Sequence, residues 1–454
     1  MTEHDLGLKV GARSLMWAMG YSTRLDVELR GEGGRRTGKG SAPETFTDLD
    51  VLGVLVTADI RLSTAIADCK TGTRDKPTAR MFWARGVADL FGADTVMLVR
   101  EHDVADATRQ LSSRLGITVL PSQDLQAMQA LHGPPLSSSS GPLGLMFDRK
   151  AVAEHLAAFT GLNRKLKPLT EYREFDYWVY DEHRNPFQMV AHLRQVHEHL
   201  DPKNPIHLAL FLDLTWLYLV ALVHVIQHIR GAFLSDPDRG LQEYLFGGPT
   251  ALREKEETAA LLNQVKPENA ADRTHLPPYF RDLRELVARL LRRPSSLQQT
   301  LRYAEAASTL MAAKKRIALP EAFTDDGFDI VTAKLVADVC GFLVEAGNLD
   351  PQFRIQARAY LLSEPVNTTG SRNQHHHVDA EDAAPQTNDS GIRPAAEASS
   401  TAPQQQGPEA ASPGQSEDTP RASEDGPDPD APAKAASVDP TAAPVGQDQL
   451  EPGT

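Results

Sequence analysis

Two apolar runs, residues 48–57 and 62–70, are separated in this sequence by only Ala58, Asp59, Ile60 and Arg61. A connection that short joins them as an antiparallel hairpin. Turning about residue 59, the hairpin pairs positions equally far from it on either side, which sets Asp50 opposite Asp68. Directly paired residues have Cβ atoms about 4.5–5.5 Å apart, and Lys70, two positions on, shares the face. The flanking Val51, Leu52, Val54, Leu55, Val56, Ala65, Ile66 and Ala67 are apolar on both faces, as in a central strand.

Two carboxylates that close disfavour each other's ionisation unless a cation lies between them. Hard carboxylate oxygens are what Mg²⁺ accepts, and Mn²⁺ has similar requirements. Lys70 is then placed to hold a metal-bound water and to stabilise charge developing on a phosphorus, the chemistry of metal-assisted phosphodiester hydrolysis. Glu28, on the preceding predicted strand, is the candidate for a third carboxylate. The competing reading makes Asp48 and Asp50 turn caps and Asp68 with Lys70 an edge-strand ion pair.

Around the hairpin, residues 8–19 space Val10, Leu15, Met16 and Met19 at helical intervals before Gly20, and residues 21–30 alternate as a half-buried strand. After it, 79–91 reads as a helix closed by Gly92, 95–99 as a buried strand, 104–115 as a helix stopped by Gly116, and 117–120 as a strand. The order α-β-β-β-α-β-α-β predicts an α/β domain, a mixed sheet flanked by helices, over residues 1–131.

The run TDLDVLGVLVTADIRLSTAIADCK resembles the catalytic hairpin of the PD-(D/E)xK restriction-endonuclease-like superfamily, in which an Asp ends one apolar strand and D/E-x-K ends the next. Asp50, Asp68 and Lys70 match that pattern, and the Gly116–Ile117 step resembles the family's entry into a later core strand. Leu49 stands where the family has Pro, and the first helix has no well-placed Glu. The resemblance implies a restriction-endonuclease-like fold, Mg²⁺ held by Asp50, Asp68 and the backbone carbonyl of Cys69, and cleavage of nucleic acid, with DNA as the expected partner. The alternative is an inactive nuclease fold that binds or assembles through the rest of the chain.

Basic residues near the motif are candidate phosphate contacts: Arg30, Arg35, Arg36 and Lys39 in a glycine-rich loop, and Arg74, Lys76, Arg80 and Arg85 after the second strand. An ordinary solvated surface is the competing reading for both groups. Gly33, Gly38 and Lys39 echo a phosphate-binding loop, but Gly40 replaces the required Ser or Thr and no helix follows. The chain's net charge of −14 does not exclude nucleic acid. Residues 366–454 carry 15 acidic and 4 basic side chains, while residues 1–132 carry 17 and 16.

Gly, Pro and Ser concentrate at 132–145, the expected linker. Beyond it, 146–365 favours helix at 151–160, 186–200, 206–233, 252–265, 279–292, 295–314 and 330–347, a domain expected to position substrate or a protein partner. From 366 the composition predicts a disordered acidic tail. The run 206–229 is long and apolar, but His207, Asp213, His224 and His228 interrupt it, so a buried helix is favoured over a membrane span. His224 and His228 have metal-ligand spacing but no accompanying carboxylate motif, and His375, His376 and His377 fall in the tail. Cys69 and Cys340 are the only cysteines, and with an acidic N-terminus lacking a leader pattern they predict a reducing cytoplasm. A homodimer is compatible with this reading.

Overall fold

The computed structural model describes residues 3–31, 44–72, 76–133, 141–179, 181–265, 276–313, 317–324 and 327–363. Met1–Arg372 form one compact unit, so the linker expected at 132–145 falls inside it. The tail from 366, with its histidines, and Arg35, Arg36, Lys39 and Arg74 lie outside the described residues.

Helix α1 (Glu3–Ala18) leads into strands β1 (Ser22–Arg30), β2 (Thr45–Val56) and β3 (Leu62–Lys70), an antiparallel meander. Helix α2 (Pro77–Phe91) crosses to β4 (Thr95–Arg100), and α3 (Asp106–Leu115) to β5 (Ile117–Pro121), both parallel to β3; α4 (Ser122–Leu131) follows. The sheet order is β1-β2-β3-β4-β5. The hairpin register is the expected one: Val51 pairs with Ala67, Leu52 with Ile66 and Val56 with Leu62, so Asp50 and Asp68 occupy the next rung. Thr57 fixes the turn, its hydroxyl accepting the Arg61 N–H at 3.0 Å. Gly92 and Gly116 cap α2 and α3 in the left-handed region, the conformation that lets a helix stop.

Beyond the sheet the described chain is mostly helical: α5 (Arg149–Ala158), the short α6 (Lys167–Glu171) and α7 (Tyr177–Val179), α8 (Asn185–Val196), α9 (Pro205–Ala232), α10 (Pro237–Phe246), α11 (Pro249–Val265), α12 (Phe280–Leu291), α13 (Leu297–Ala312), α14 (Leu319–Ala322), α15 (Ile330–Gly347) and α16 (Gln352–Leu362). The helices expected from periodicity are all present, to within about one turn except at the start of α1, which begins at Glu3 instead of residue 8. Helix α4 was not expected, because only Leu125 of its ten residues is buried and the apolar period is weak. Helix α9 is long and apolar enough to cross a membrane, yet its most apolar stretch is buried within the protein, and only its ends reach the surface.

β1 is an edge strand, and helices of the second half cover it. Glu305 of α13 accepts the Thr23 N–H and the Ser22 hydroxyl, each at 2.7 Å, and pairs with Arg13 of α1 at 2.9 Å. Trp216 of α9 donates its indole N–H to Ser22 Oγ at 2.7 Å. Beside it, Asp213 holds Arg24 at 3.2 Å and Arg173 at 2.5 Å, with Asp213 and Arg173 buried and Arg24 half-buried. An otherwise open edge is thus closed by side chains of one sign meeting side chains of the other.

Gly53 lies mid-strand in β2, and a Cβ there would stand 3.0 Å from both Met16 Sδ and Tyr21 Cδ1. Gly53→Ala is therefore expected to destabilise the fold by about 1–3 kcal/mol through overpacking. Urea denaturation checks this, and an unchanged midpoint would show that α1 yields freely.

Candidate active site

Asp50 and Asp68 are 4% and 6% exposed, and both face cations. Lys70 Nζ lies 3.5 Å from Asp50 Oδ2 and 3.5 Å from Asp68 Oδ1, so the three residues converge. Asp50 Oδ2 also accepts the Cys69 N–H at 2.8 Å, while Asp50 Oδ1 meets Lys9 of α1 at 2.7 Å. Asp68 is gripped by Arg80 of α2, whose Nε and Nη2 each lie 2.6 Å from a carboxylate oxygen. Arg80 also stacks on Trp83, 3.4 Å from the ring centre.

Two residues not singled out from sequence complete the row. Leu25 pairs with Val51 and Val27 with Leu49, which puts Asp26 opposite Asp50. Three adjacent strands thus carry Asp26, Asp50 and Asp68 side by side. Asp26 has φ 53°, a conformation costly for a residue other than glycine, and its carboxylate reaches Lys9 at 2.5 Å. Strand pairing was the available signal for Asp26, since its partner follows once β1 is laid against β2. Lys9 had none beyond being a charge on an apolar helix.

Glu28, expected as the third carboxylate, does not take that position. It pairs with Asp48 one rung pair away from Asp26 and bonds Arg30 at 3.1 Å. Asp26, Asp48 and Asp50 instead each place an oxygen within 4.8 Å of the other two. Arg80, expected at a nucleic-acid phosphate, neutralises Asp68. Arg30 stacks over Phe175 at 3.2 Å, Arg85 pairs with Asp89 on its own helix, and Lys76 is exposed at the start of α2. Cys69 is buried, and burial pushes its thiol well above the ordinary range.

Burial works against ionisation of both motif carboxylates. At Asp50 the Lys9 ammonium, the Cys69 N–H and Lys70 outweigh it and hold the carboxyl below its usual value. At Asp68 burial prevails over Arg80 and Lys70 and pushes the carboxyl up. Neighbouring carboxylates driven in opposite directions mark a candidate site on physical grounds.

The oxygens of Asp26, Asp48 and Asp50 suit a hard divalent cation, being carboxylate oxygens alone, and Asp68 stands outside that group, held by Arg80. In the protein by itself Lys9, Lys70 and Arg80 balance three of the four negative charges of Asp26, Asp48, Asp50 and Asp68. Among the described residues, His224 pairs with Glu182 at 3.1 Å and forms no metal-ligand group with His228. No family model, curated protein or solved structure matches the chain.

Proposed function

We propose that this protein is a metal-dependent nuclease of restriction-endonuclease-like architecture, hydrolysing DNA phosphodiester bonds in the cytoplasm with Asp50, Asp68 and Lys70 at its centre. The observation that carries the reading is the Lys70 ammonium, equidistant from two buried carboxylates on paired strands. The helix, three-strand meander and crossover to a parallel strand are the setting in which that trio is expected. Asp50 and Asp68, with the Cys69 carbonyl, are the residues that would hold Mg²⁺. A cation bound there supplies an acidified water and a polarised phosphoryl oxygen.

The chain's own contribution is positional. Lys70 is 28% exposed, so its ammonium reaches both the carboxylates and an incoming phosphate. It orients the attacking water and stabilises the charge that develops on the phosphorus. Arg80, once released from Asp68, is a two-pronged donor suited to the scissile phosphate.

Purified protein with Mg²⁺ is expected to cut plasmid or oligonucleotide DNA, EDTA to stop it, and Asp68→Ala to abolish it. Equal cleavage by wild type and variant would assign the activity to a contaminant.

A second reading is favoured by one observation: Lys9 and Arg80 already satisfy the carboxylates, as in a silent nuclease fold that acts through its helices. Arg80→Gln separates the two. If the centre takes a cation, millimolar Mg²⁺ raises the melting temperature of this variant, by an amount equivalent to about 2.7 kcal/mol at a hundredfold excess over Kd. If the network is purely structural, Mg²⁺ leaves the melting temperature where it was.

A further inference from the structure

A cleft of about 1030 Å³ opens between the sheet, the end of α2 and the α7–α9 region. That is as large as a small-molecule site becomes. Its floor includes Leu52 and Val54 of β2 and Thr64 of β3. By strand alternation these share the sheet face of Asp50 and Asp68. The cleft therefore lies along the same face as the carboxylate row.

Its walls are aromatic. Trp178 and Phe91 line it with ring centres 6.1 Å apart, and Tyr177 stands 4.9 Å from Trp178. At its mouth stands Phe46, 55% exposed. Leu29 pairs with Thr47 and Arg30 with Thr45, so Phe46 is the extra residue of a β-bulge. Bulges re-aim side chains and gather beside active sites. The ring is accommodated by Gly31, where a Cβ would meet Phe46 Cζ at 2.9 Å. An exposed phenyl on a bulge, seated against a glycine, is a placed platform rather than stray surface.

The charge of the lining selects among nucleic-acid parts. Asp94, Asp181 and Glu182 line it against Arg30 and Arg184, so the interior is unfavourable for phosphate. Asp94, Asp181 and Glu182 already hold the Thr64 N–H, Arg184 and His224, and the Gln227 carbonyl accepts the Leu62 N–H, which leaves the Gln227 amide NH₂ to meet the ring nitrogens of bases. The indole N–H of Trp178 is buried without a hydrogen-bond partner among the described residues, a donor left over in the wall.

We propose that this cleft accepts unpaired nucleobases, stacked on Phe46 and Trp178, so that the protein engages single-stranded or locally unpaired nucleic acid while the phosphates follow the rim toward Lys70. The proposal rests on the nuclease reading of the centre and names its substrate class. Sequence-tolerant stacking on aromatic side chains is the mode by which single strands are held.

The test is fluorescence anisotropy with full-length protein and a labelled single-stranded DNA oligonucleotide, against the same sequence as a blunt duplex. EDTA is present throughout, so binding is read without cleavage. The single strand is expected to bind at least about tenfold more tightly than the duplex. Phe46→Ala, at an exposed position with little folding risk, is expected to weaken single-strand binding about tenfold and leave duplex binding unchanged. Trp178→Ala should act likewise, with Trp178→Phe retaining most of the affinity. Equal binding of both DNA forms, or a Phe46→Ala variant indistinguishable from wild type, overturns the proposal. Saturable binding of a peptide or of a second copy of the chain, with none of DNA, does the same. Single-strand preference with no cleavage in Mg²⁺ would sink the nuclease reading alone, and Asp68-dependent cleavage without that preference would sink this one alone.

Discussion

Lys70→Ala is expected to lower the cleavage rate by about 10²–10³-fold, the usual cost of removing one preorganised stabiliser of transition-state charge. The melting temperature should hardly move. Asp50 keeps Lys9 at 2.7 Å and Asp68 keeps Arg80 at 2.6 Å, so neither carboxylate is left bare. Lys70 is also partly solvated, and pairs of that kind add little to stability. Lys70→Arg should restore charge but not rate, because a planar fork does not reproduce a compact ammonium 3.5 Å from two oxygens. Single-turnover rates beside thermal melts measure both. A Lys70→Ala enzyme as fast as wild type would remove Lys70 from the mechanism.

The largest stability effect is expected far from that centre. Asp213→Ala should destabilise the protein by about 3–5 kcal/mol, because it takes away the carboxylate that Arg24 and Arg173 share and leaves only Glu174, 3.4 Å from Arg173, to face them. Burial works against the charge on Asp213, but Arg173 and Arg24 outweigh it and hold its carboxyl down to about 2. A carboxyl depressed on folding contributes stability that is fully present above its unfolded value and is lost as pH falls through its folded value. From an ordinary value near 3.8 to about 2, the contribution is about 2–3 kcal/mol, lost as the pH falls from about 4 toward 2. Urea unfolding between pH 5 and pH 2 should therefore show a steeper loss for wild type than for Asp213→Asn. Parallel curves would mean that the two arginines find compensation elsewhere.

The hairpin was readable because its constraints are local. Four connecting residues and two apolar runs leave one register, and the structure pairs Val51 with Ala67 as that register requires. Helix periodicity was equally local, which is why α9, α13 and α15 stand where expected. What surrounds the carboxylates was not readable, since it depends on how α1 and α2 approach the sheet. No pattern near Lys9 announces that its ammonium will sit between Asp26 and Asp50, and Arg80 reads as a surface base until α2 is docked. Glu28 is a carboxylate on the neighbouring strand, but only the register of that strand against β2 shows that Asp26 is the one opposite Asp50. The left-handed backbone at Asp26 is a tertiary compromise that the alternation of β1 conceals.

Arg13, Arg24 and the N–H of Thr23 all look to Glu305 or Asp213 for their partners, 189 to 292 positions away along the chain. The first 131 residues are consequently not a cassette. Expressed by themselves, they would present a bare strand edge and two orphaned guanidiniums, and would be expected to associate through that edge rather than remain a soluble monomer. Transplanting the carboxylate row into another protein thus means carrying α9 and α13 with it, or redesigning β1 so that its edge no longer needs them.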